Sequence, residues 1–207
     1  MERNCFDRLN GFTIALRDGE WVDFRPVKPD DGQIIQNGMY ALSAKSRYFR
    51  FFCSISQLSD ARLHYFTEVD QQDHVAWIAQ AHDTAEHPGV GIARFIRFED
   101  RSQIAEFAVT VIDSYQKRGL GTMLMAVLYV LAQAQGIKIL RAFVLPENSV
   151  AMHWLARLGA IGKFENGVCQ MDIAVDSDLS SFSTPPLLQY FAECQQQMKP
   201  LRNQYSS

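Results

Sequence analysis

The chain has 207 residues, of which 47% are hydrophobic and 21% charged, and its formal net charge is −3 at pH 7. This length can bury a substantial core as one domain, or as one domain with extensions. The slightly acidic balance gives no electrostatic footprint for nucleic acid, so no nucleic-acid partner is expected.

The N-terminal segment and the cysteines indicate a cytoplasmic protein. Residues 1–11, MERNCFDRLNG, are polar and do not resemble a signal peptide. No apolar run reaches the roughly 18 residues of a membrane span. The four cysteines are scattered, with no C-x-x-C pair, so neither a zinc site nor a disulfide framework is indicated. We therefore expect a reducing compartment and no membrane contact.

The N-terminal third predicts a hairpin followed by two helices. Asp18-Gly19 lies between two β-prone runs and indicates a type I′ turn. The segment KPDDGQIIQNGMYALSAKS predicts one helix, with Asp30 or Asp31 as its N-cap. The segment SQLSDARLHYFTEV predicts a second helix.

Three strands are predicted next. HVAWIAQAH and GVGIARFIRFE are joined by the loop DTAEHP, and residues 103–112 form the third strand. His82 and His87 bracket Asp83 and Glu86, which is a metal-ligand composition. No second ligand cluster accompanies them, so no metal site is expected.

The run AEFAVTVIDSYQKRGLGTMLMAVLYVLAQAQG, residues 105–136, gives the strongest functional signal. It predicts a strand, a turn rich in N–H donors, and an amphipathic helix that ends at Gly136. Gly119 and Gly121 let the backbone approach a ligand, and the helix N-terminus directs free N–H groups and its positive dipole end outward. Such an arrangement binds pyrophosphate, although the spacing is neither a P-loop nor G-x-G-x-x-G.

The remaining chain predicts two strands of a hairpin, a buried strand and two helices. IKILRAFVL reads as a strand of a buried sheet, and Asn148 begins a short helix through Leu158. AIGKFENGVCQMDIAV predicts a hairpin about Asn166-Gly167. DSDLSSFSTPP reads as a linker, and LLQYFAECQQQM as a helix whose apolar stripe packs on its own domain, forms a homodimer contact or lies across the acceptor cleft.

The pattern Gln-x-x-Gly-x-Gly after a strand resembles the acetyl-CoA loop of the GNAT N-acyltransferases. The predicted element order also matches that α/β (α+β) fold, which has a mixed central sheet, a splayed strand pair and flanking helices. Four stretches, LRDGEWVDFRPVKPDD, SAKSRYFRFF, AEFAVTVID and VLPENSVAMHWLARLGA, resemble the acyltransferase domain of bacterial protein lysine acetyltransferases. The resemblance implies a GNAT domain over 21–175. An extension and hairpin strand would precede it over 1–20, and a linker and helix would follow over 176–207.

The resemblance also implies which residues bind acetyl-CoA. Backbone groups of β-strand residues would hold the pantetheine, and the loop would hold the pyrophosphate. Asn148 would touch the CoA arm, besides capping its helix. The implied strand and loop residues are Val109, Thr110, Val111, Gln116, Lys117, Arg118, Gly119, Leu120, Gly121 and Thr122. The alternative for the loop is a plain strand-to-helix turn with a solvated Lys-Arg pair.

Glu106 is the candidate general base. Attack on a thioester needs a neutral amine, whereas lysine is mostly protonated at pH 7. A carboxylate in a strand otherwise built of Ala, Phe, Val and Ile is unusual and can take that proton. The alternative is an exposed or salt-bridged strand residue. The tyrosine that often serves the family as general acid is missing from the 148–158 helix, where His153 is a weak substitute.

These observations predict an acetyl-CoA-dependent N-acetyltransferase in which a protein lysine attacks the thioester directly in a ternary complex. A polyamine or aminoglycoside acceptor is the alternative within the enzyme class, and a non-catalytic acyl-CoA sensor is the alternative outside it. RYFRFF, residues 47–52, is expected beside the acceptor channel, unless its aromatics are core. For Arg50 the alternative is an ion pair with a carboxylate in the core or on a substrate. Nothing in the sequence identifies a partner base for Cys53 as a nucleophile.

Overall fold

A computed structural model describes residues 11–176, together with Ala192 and Gln196. Most of the predicted linker and C-terminal helix therefore lies outside the described residues. The strands are β1 Phe12–Ala15, β2 Trp21–Pro26, β3 His74–Ala81, β4 Gly89–Phe98, β5 Arg101–Val111, β6 Ile139–Val144, β7 Ile161–Glu165 and β8 Val168–Ala174. The helices are α1 Gly32–Ala41, α2 Ala44–Phe51, α3 Asp60–Thr67, α4 Leu120–Ala134 and α5 Ser149–Arg157.

The strands form one mixed sheet in the order β1-β2-β3-β4-β5-β6-β8-β7. The pairs β1-β2, β2-β3, β6-β8 and β7-β8 are antiparallel, whereas β5 and β6 are parallel. The ladder between β5 and β6 runs from Ile104↔Ile139 to Glu106↔Arg141. Both strands continue beyond that last register position. The predicted α/β architecture with a mixed sheet is confirmed.

The chain divides into two compact units. Of the described residues, the first contains those up to Arg94 together with Val109–Met125, and the second contains Phe95–Ala108 and those from Ala126 onward. Fully buried Phe24 and Trp77 belong to the core of the first unit, and Leu128 and Leu140 to that of the second. Among the described residues, no helix is both long and apolar enough to cross a membrane.

The two predicted hairpins differ in their turns. At Asn166-Gly167 both central residues have positive φ, 50° and 80°, as a type I′ turn requires. In the first hairpin only Gly19 has positive φ, 87°, and its N–H donates to the Leu16 carbonyl at 3.0 Å. The predicted hairpin is confirmed, but its assignment as type I′ is wrong because Asp18 keeps a negative φ.

The single helix predicted from KPDDGQIIQNGMYALSAKS is wrong, because the structure has two α-helices there. Helix α1 ends at Ala41, Leu42 is extended, and Ser43 caps α2 by accepting a hydrogen bond from the Ser46 N–H. Asp113 accepts hydrogen bonds from the Ser43 N–H and hydroxyl at 2.9 and 2.8 Å. RYFRFF consequently lies almost entirely on α2.

Candidate functional site

The loop between β5 and α4 presents backbone donors at a helix N-terminus. Lys117 and Gly119 have positive φ, 62° and 95°, and α4 begins at Leu120. The Gly119 carbonyl accepts hydrogen bonds from the N–H groups of Thr122 and Met123 at 3.0 and 3.1 Å. Within residues 11–176, the N–H groups of Leu120 and Gly121 have no acceptor. The backbone therefore offers donors at the positive end of the helix dipole, which suits an anion.

The guanidinium of Arg118 is held by the first hairpin. Arg118 pairs with the carboxylates of Asp18 and Glu20 and lies over the Tyr115 ring, 4.4 Å from its centroid. The Tyr115 hydroxyl donates to Glu20. These contacts hold the pKa values of Asp18 and Glu20 below their usual values and raise that of Arg118. Lys117 is exposed, but the alternative of a solvated Lys-Arg pair is wrong for Arg118, whose side chain is 22% exposed.

This Arg118 clamp predicts an acid-sensitive contribution to stability. We expect Arg118→Met to lower the melting temperature modestly at pH 7, because exposed ion pairs contribute little. The carboxyl groups of Asp18 and Glu20 have ordinary pKa values of 3.8 and 4.5 when unpaired, and their folded values are lower. The contribution is thus fully present above about pH 4.5 and is lost as pH falls through the folded pKa values. Thermal denaturation from pH 7 to pH 3 measures it.

The matched control for the clamp is Lys117→Met, which removes the neighbouring exposed cation. Its melting temperature should stay close to that of the wild type. A difference between wild type and Arg118→Met that is the same at pH 7 and pH 3 would contradict the ion-pair account.

Side chains of the loop also fasten it to the N-terminus of α2. The Asp113 carboxylate accepts hydrogen bonds from Ser43 and from the Ser46 hydroxyl, at 3.1 Å for the latter. Burial raises the pKa of Asp113, but these hydrogen bonds outweigh it and the net pKa is lowered. The Gln116 side-chain amide donates to the Val111 carbonyl at 3.1 Å. This hydrogen bond fixes the turn, and it occupies the Val111 carbonyl.

Glu106 lies in the second unit on β5, between two buried neighbours. Ala105 and Phe107 are buried whereas Glu106 is exposed. It stands opposite Arg141 in register, at the last position of the parallel ladder. Arg141 makes two hydrogen bonds with the Asp172 carboxylate, at 2.8 and 2.7 Å, which raise its pKa. The exposure of Glu106 is compatible with both interpretations of this residue, the base and the exposed strand carboxylate.

Asn148 is the N-cap of α5, as predicted. Its side-chain oxygen accepts a hydrogen bond from the Ala151 N–H at 3.2 Å. His153, on the same helix, is exposed. We expect Asn148→Ala to lower the free energy of unfolding by about 1 kcal/mol, whereas Asn148→Ser should keep the cap. Denaturant unfolding measures both variants, and equal destabilisation by Ala and Ser would contradict a capping role.

An apolar pocket lies within the first unit. It has about 540 Å³ of space, part of it open to solvent. Helices α1 to α3 and the segments that join them contribute most of its apolar wall, with side chains that include Ile34, Met39, Leu42, Phe51 and Leu58. Thr110, one of the predicted cofactor-binding residues, also lines it. Arg50 and Phe51 bring part of RYFRFF to the same pocket.

Arg94 is a pocket residue that sequence reasoning missed. It lines the pocket from β4 and is 5% exposed. Its position could have been noticed in the sequence, because it is an arginine inside the apolar run GVGIARFIRF. A charged residue in an otherwise apolar strand is also what made Glu106 a candidate.

The histidine and acidic residues of the loop between β3 and β4 do not form a metal cluster. The Nδ1 atom of His82 lies 2.9 Å from an Asp23 carboxylate oxygen, and this contact raises the pKa of His82. No group of three His, Cys, Asp or Glu side chains able to hold a metal occurs in the part of the chain that the structure describes.

Comparison with known proteins identifies similar sequences and structures. The sequence profile of the Acetyltransferase (GNAT) family matches residues 38–160. The chain is 37% identical over 163 residues to acetyltransferase Pat of Mycolicibacterium smegmatis, covering 78% of this chain and 48% of Pat. It is 31% identical over 149 residues to acetyltransferase PA5475 of Pseudomonas aeruginosa, covering 72% of this chain and 80% of PA5475. The GNAT domain of S. lividans PAT matches with a TM-score of 0.74 at 27% identity, covering 84% and 99% of the two chains. The chain thus spans about half the length of the M. smegmatis relative.

Proposed function

Because this chain belongs to the GNAT family of acetyltransferases, we propose that it transfers an acetyl group from acetyl-CoA to the side chain of a protein lysine. The main support for this proposal is the geometry of the loop at the start of α4. Its positive-φ backbone at Lys117 and Gly119 leaves the N–H groups of Leu120 and Gly121 available for the pyrophosphate.

The residues of this chain fit the cosubstrate. Acetyl-CoA supplies an activated acetyl thioester. In the proposal, the loop backbone from Gln116 to Thr122 binds the pyrophosphate, and Asn148 touches the CoA arm. Backbone groups of Val109 and Val111 orient the pantetheine and polarise the thioester carbonyl. The Arg118 clamp supports this role by fixing the loop without using its backbone donors.

Glu106 accepts the proton of the attacking amine in this proposal. A lysine ammonium has an ordinary pKa of about 10.4, so little neutral amine exists at pH 7. The carboxylate of Glu106 is exposed, so the acceptor or a bridging water can reach it. The structure offers no tyrosine on α5, and His153 is exposed on that helix, so no general acid is assigned.

An acceptor panel tests the lysine proposal. Initial rates of CoA release are measured with a lysine-containing peptide, a polyamine and an aminoglycoside at equal concentrations. We expect the peptide to give the highest kcat/KM, and the same peptide with arginine in place of lysine to give none. A higher kcat/KM for the polyamine or aminoglycoside would replace the protein acceptor with a small amine. Binding of acetyl-CoA without release of CoA to any acceptor would indicate the sensor.

Direct transfer in a ternary complex predicts a distinct kinetic pattern. Double-reciprocal plots at several fixed acceptor concentrations should intersect, and no acetylated enzyme should form without acceptor. Cys53 is the exposed free thiol to examine in the first unit. Parallel lines together with acetylated Cys53 in the mass spectrum would instead establish an acyl-enzyme route.

A further inference from the structure

Arg94 is a buried cation without a carboxylate partner among the described residues. One Nη atom lies 3.0 Å from the Nε2 atom of His74, and the other donates to the Phe66 carbonyl at 3.3 Å. The guanidinium also lies over the Phe66 ring, 4.2 Å from its centroid. Its contacts are therefore a ring nitrogen, a carbonyl dipole and an aromatic face.

None of these contacts supplies a negative charge. Burial, followed by the charge of Arg94, lowers the pKa of His74 to about 4, so His74 is neutral at pH 7. The charge of Asp70 opposes this effect on the pKa of His74. However, one Asp70 carboxylate oxygen accepts hydrogen bonds from three backbone N–H groups of the adjacent turn, at 2.7 to 2.9 Å. Burying a charge without a counter-ion is costly, so this arrangement calls for a further explanation.

The pocket provides that explanation, because Arg94 lines it together with Arg50. Burial and the charge of Arg50 lower the pKa of Arg94 to about 9, which still leaves it protonated at neutral pH. A guanidinium has five N–H donors. The contacts with His74 and with the Phe66 carbonyl use only two of them. The remaining wall is almost entirely aliphatic and aromatic.

We infer that this pocket binds a carboxylate attached to an apolar group, with Arg94 as its counter-ion. An anion would satisfy the guanidinium, and the apolar part of the ligand would cover the aliphatic wall. The carboxylate has two possible carriers, an amino-acid acceptor or a dicarboxylic acyl group on CoA. The choice between carriers rests on the proposed function, whereas binding of the carboxylate itself does not.

Calorimetry with 4-methylpentanoate and 4-methylpentanamide tests the binding site on the full chain. The two probes share their apolar part and differ in charge. We expect the acid to bind at least about tenfold tighter, as for a charge-assisted hydrogen bond. This preference should disappear in Arg94→Gln and persist in Arg62→Gln, an exposed arginine on α3. The wild-type comparison stands even if the Arg94 variant fails to fold.

Two kinetic comparisons identify the carrier. A preference for N-acetyl-lysine over N-acetyl-lysinamide as acceptor assigns the carboxylate to the acceptor, and a preference for succinyl-CoA over butyryl-CoA assigns it to the acyl group. Equal binding of the acid and the amide, or binding of neither, overturns the inference. Turnover without preference in either kinetic comparison overturns both assignments of the carrier. Absence of any turnover, with the lysine-containing peptide included as acceptor and the binding preference intact, counts against the proposed function and not against the site.

Discussion

Replacing Glu106 with Gln is expected to lower turnover about 10²- to 10⁴-fold while leaving the affinity for acetyl-CoA unchanged. The amide keeps the size of this exposed side chain on β5 but cannot accept a proton. The loss should shrink at high pH, where more of the lysine acceptor is already neutral. Initial rates measured from pH 6 to pH 10, with acetyl-CoA affinity determined by calorimetry, check both parts of this prediction.

The matched control for Glu106 is Glu165→Gln, which removes another exposed strand carboxylate, from β7. Its turnover should equal that of the wild type. If Glu106→Gln and wild type have the same rate at every pH, Glu106 has no part in the proton transfer and is only an exposed strand residue.

Gly121→Glu is expected to weaken acetyl-CoA binding about 10²-fold or more with the fold intact. The new side chain places a carboxylate beside the N–H groups proposed for the pyrophosphate. Loss of two charge-assisted hydrogen bonds, at about 1.5 kcal/mol or more each, corresponds to this factor. The helix should tolerate the change, because a glutamate in the first turn interacts favourably with the positive end of the helix dipole. Calorimetry with acetyl-CoA measures the effect.

Gly32→Glu provides the control for this second variant. Gly32 is the first residue of α1, and a Cβ atom added there meets nothing within 4 Å. Gly32→Glu therefore makes the same substitution at another helix N-terminus, and the affinity of this variant for acetyl-CoA should equal that of the wild type. Normal affinity in a folded Gly121→Glu protein would remove the loop from the cofactor site.

Features set by local sequence were predictable. The Asn148 cap and the Asn166-Gly167 turn each depend on the conformational preference of one or two residues. The glycines and apolar spacing after β5 identified both the loop and α4. The break at Leu42 was not predictable in this way, because the apolar period runs through it and the capping of Ser43 depends on distant Asp113.

Features set by distant side chains escaped sequence reasoning. Arg118 meets Asp18 and Glu20, which are 100 and 98 residues earlier in the chain. The environment of Arg94 likewise comes from His74 and Phe66 on other elements. Each charge was visible in the sequence, but its partners became known only when the tertiary structure brought those segments together.

Acetyl transfer itself is the most direct test of the proposed function. The full chain is incubated with acetyl-CoA and a lysine-containing peptide, and the released CoA thiol and the acetylated peptide are quantified together. We expect equal molar amounts of the two products, with the acetyl group on the lysine side chain. Tight binding of acetyl-CoA with neither thiol release nor an acetylated product, across the acceptor panel, would contradict it.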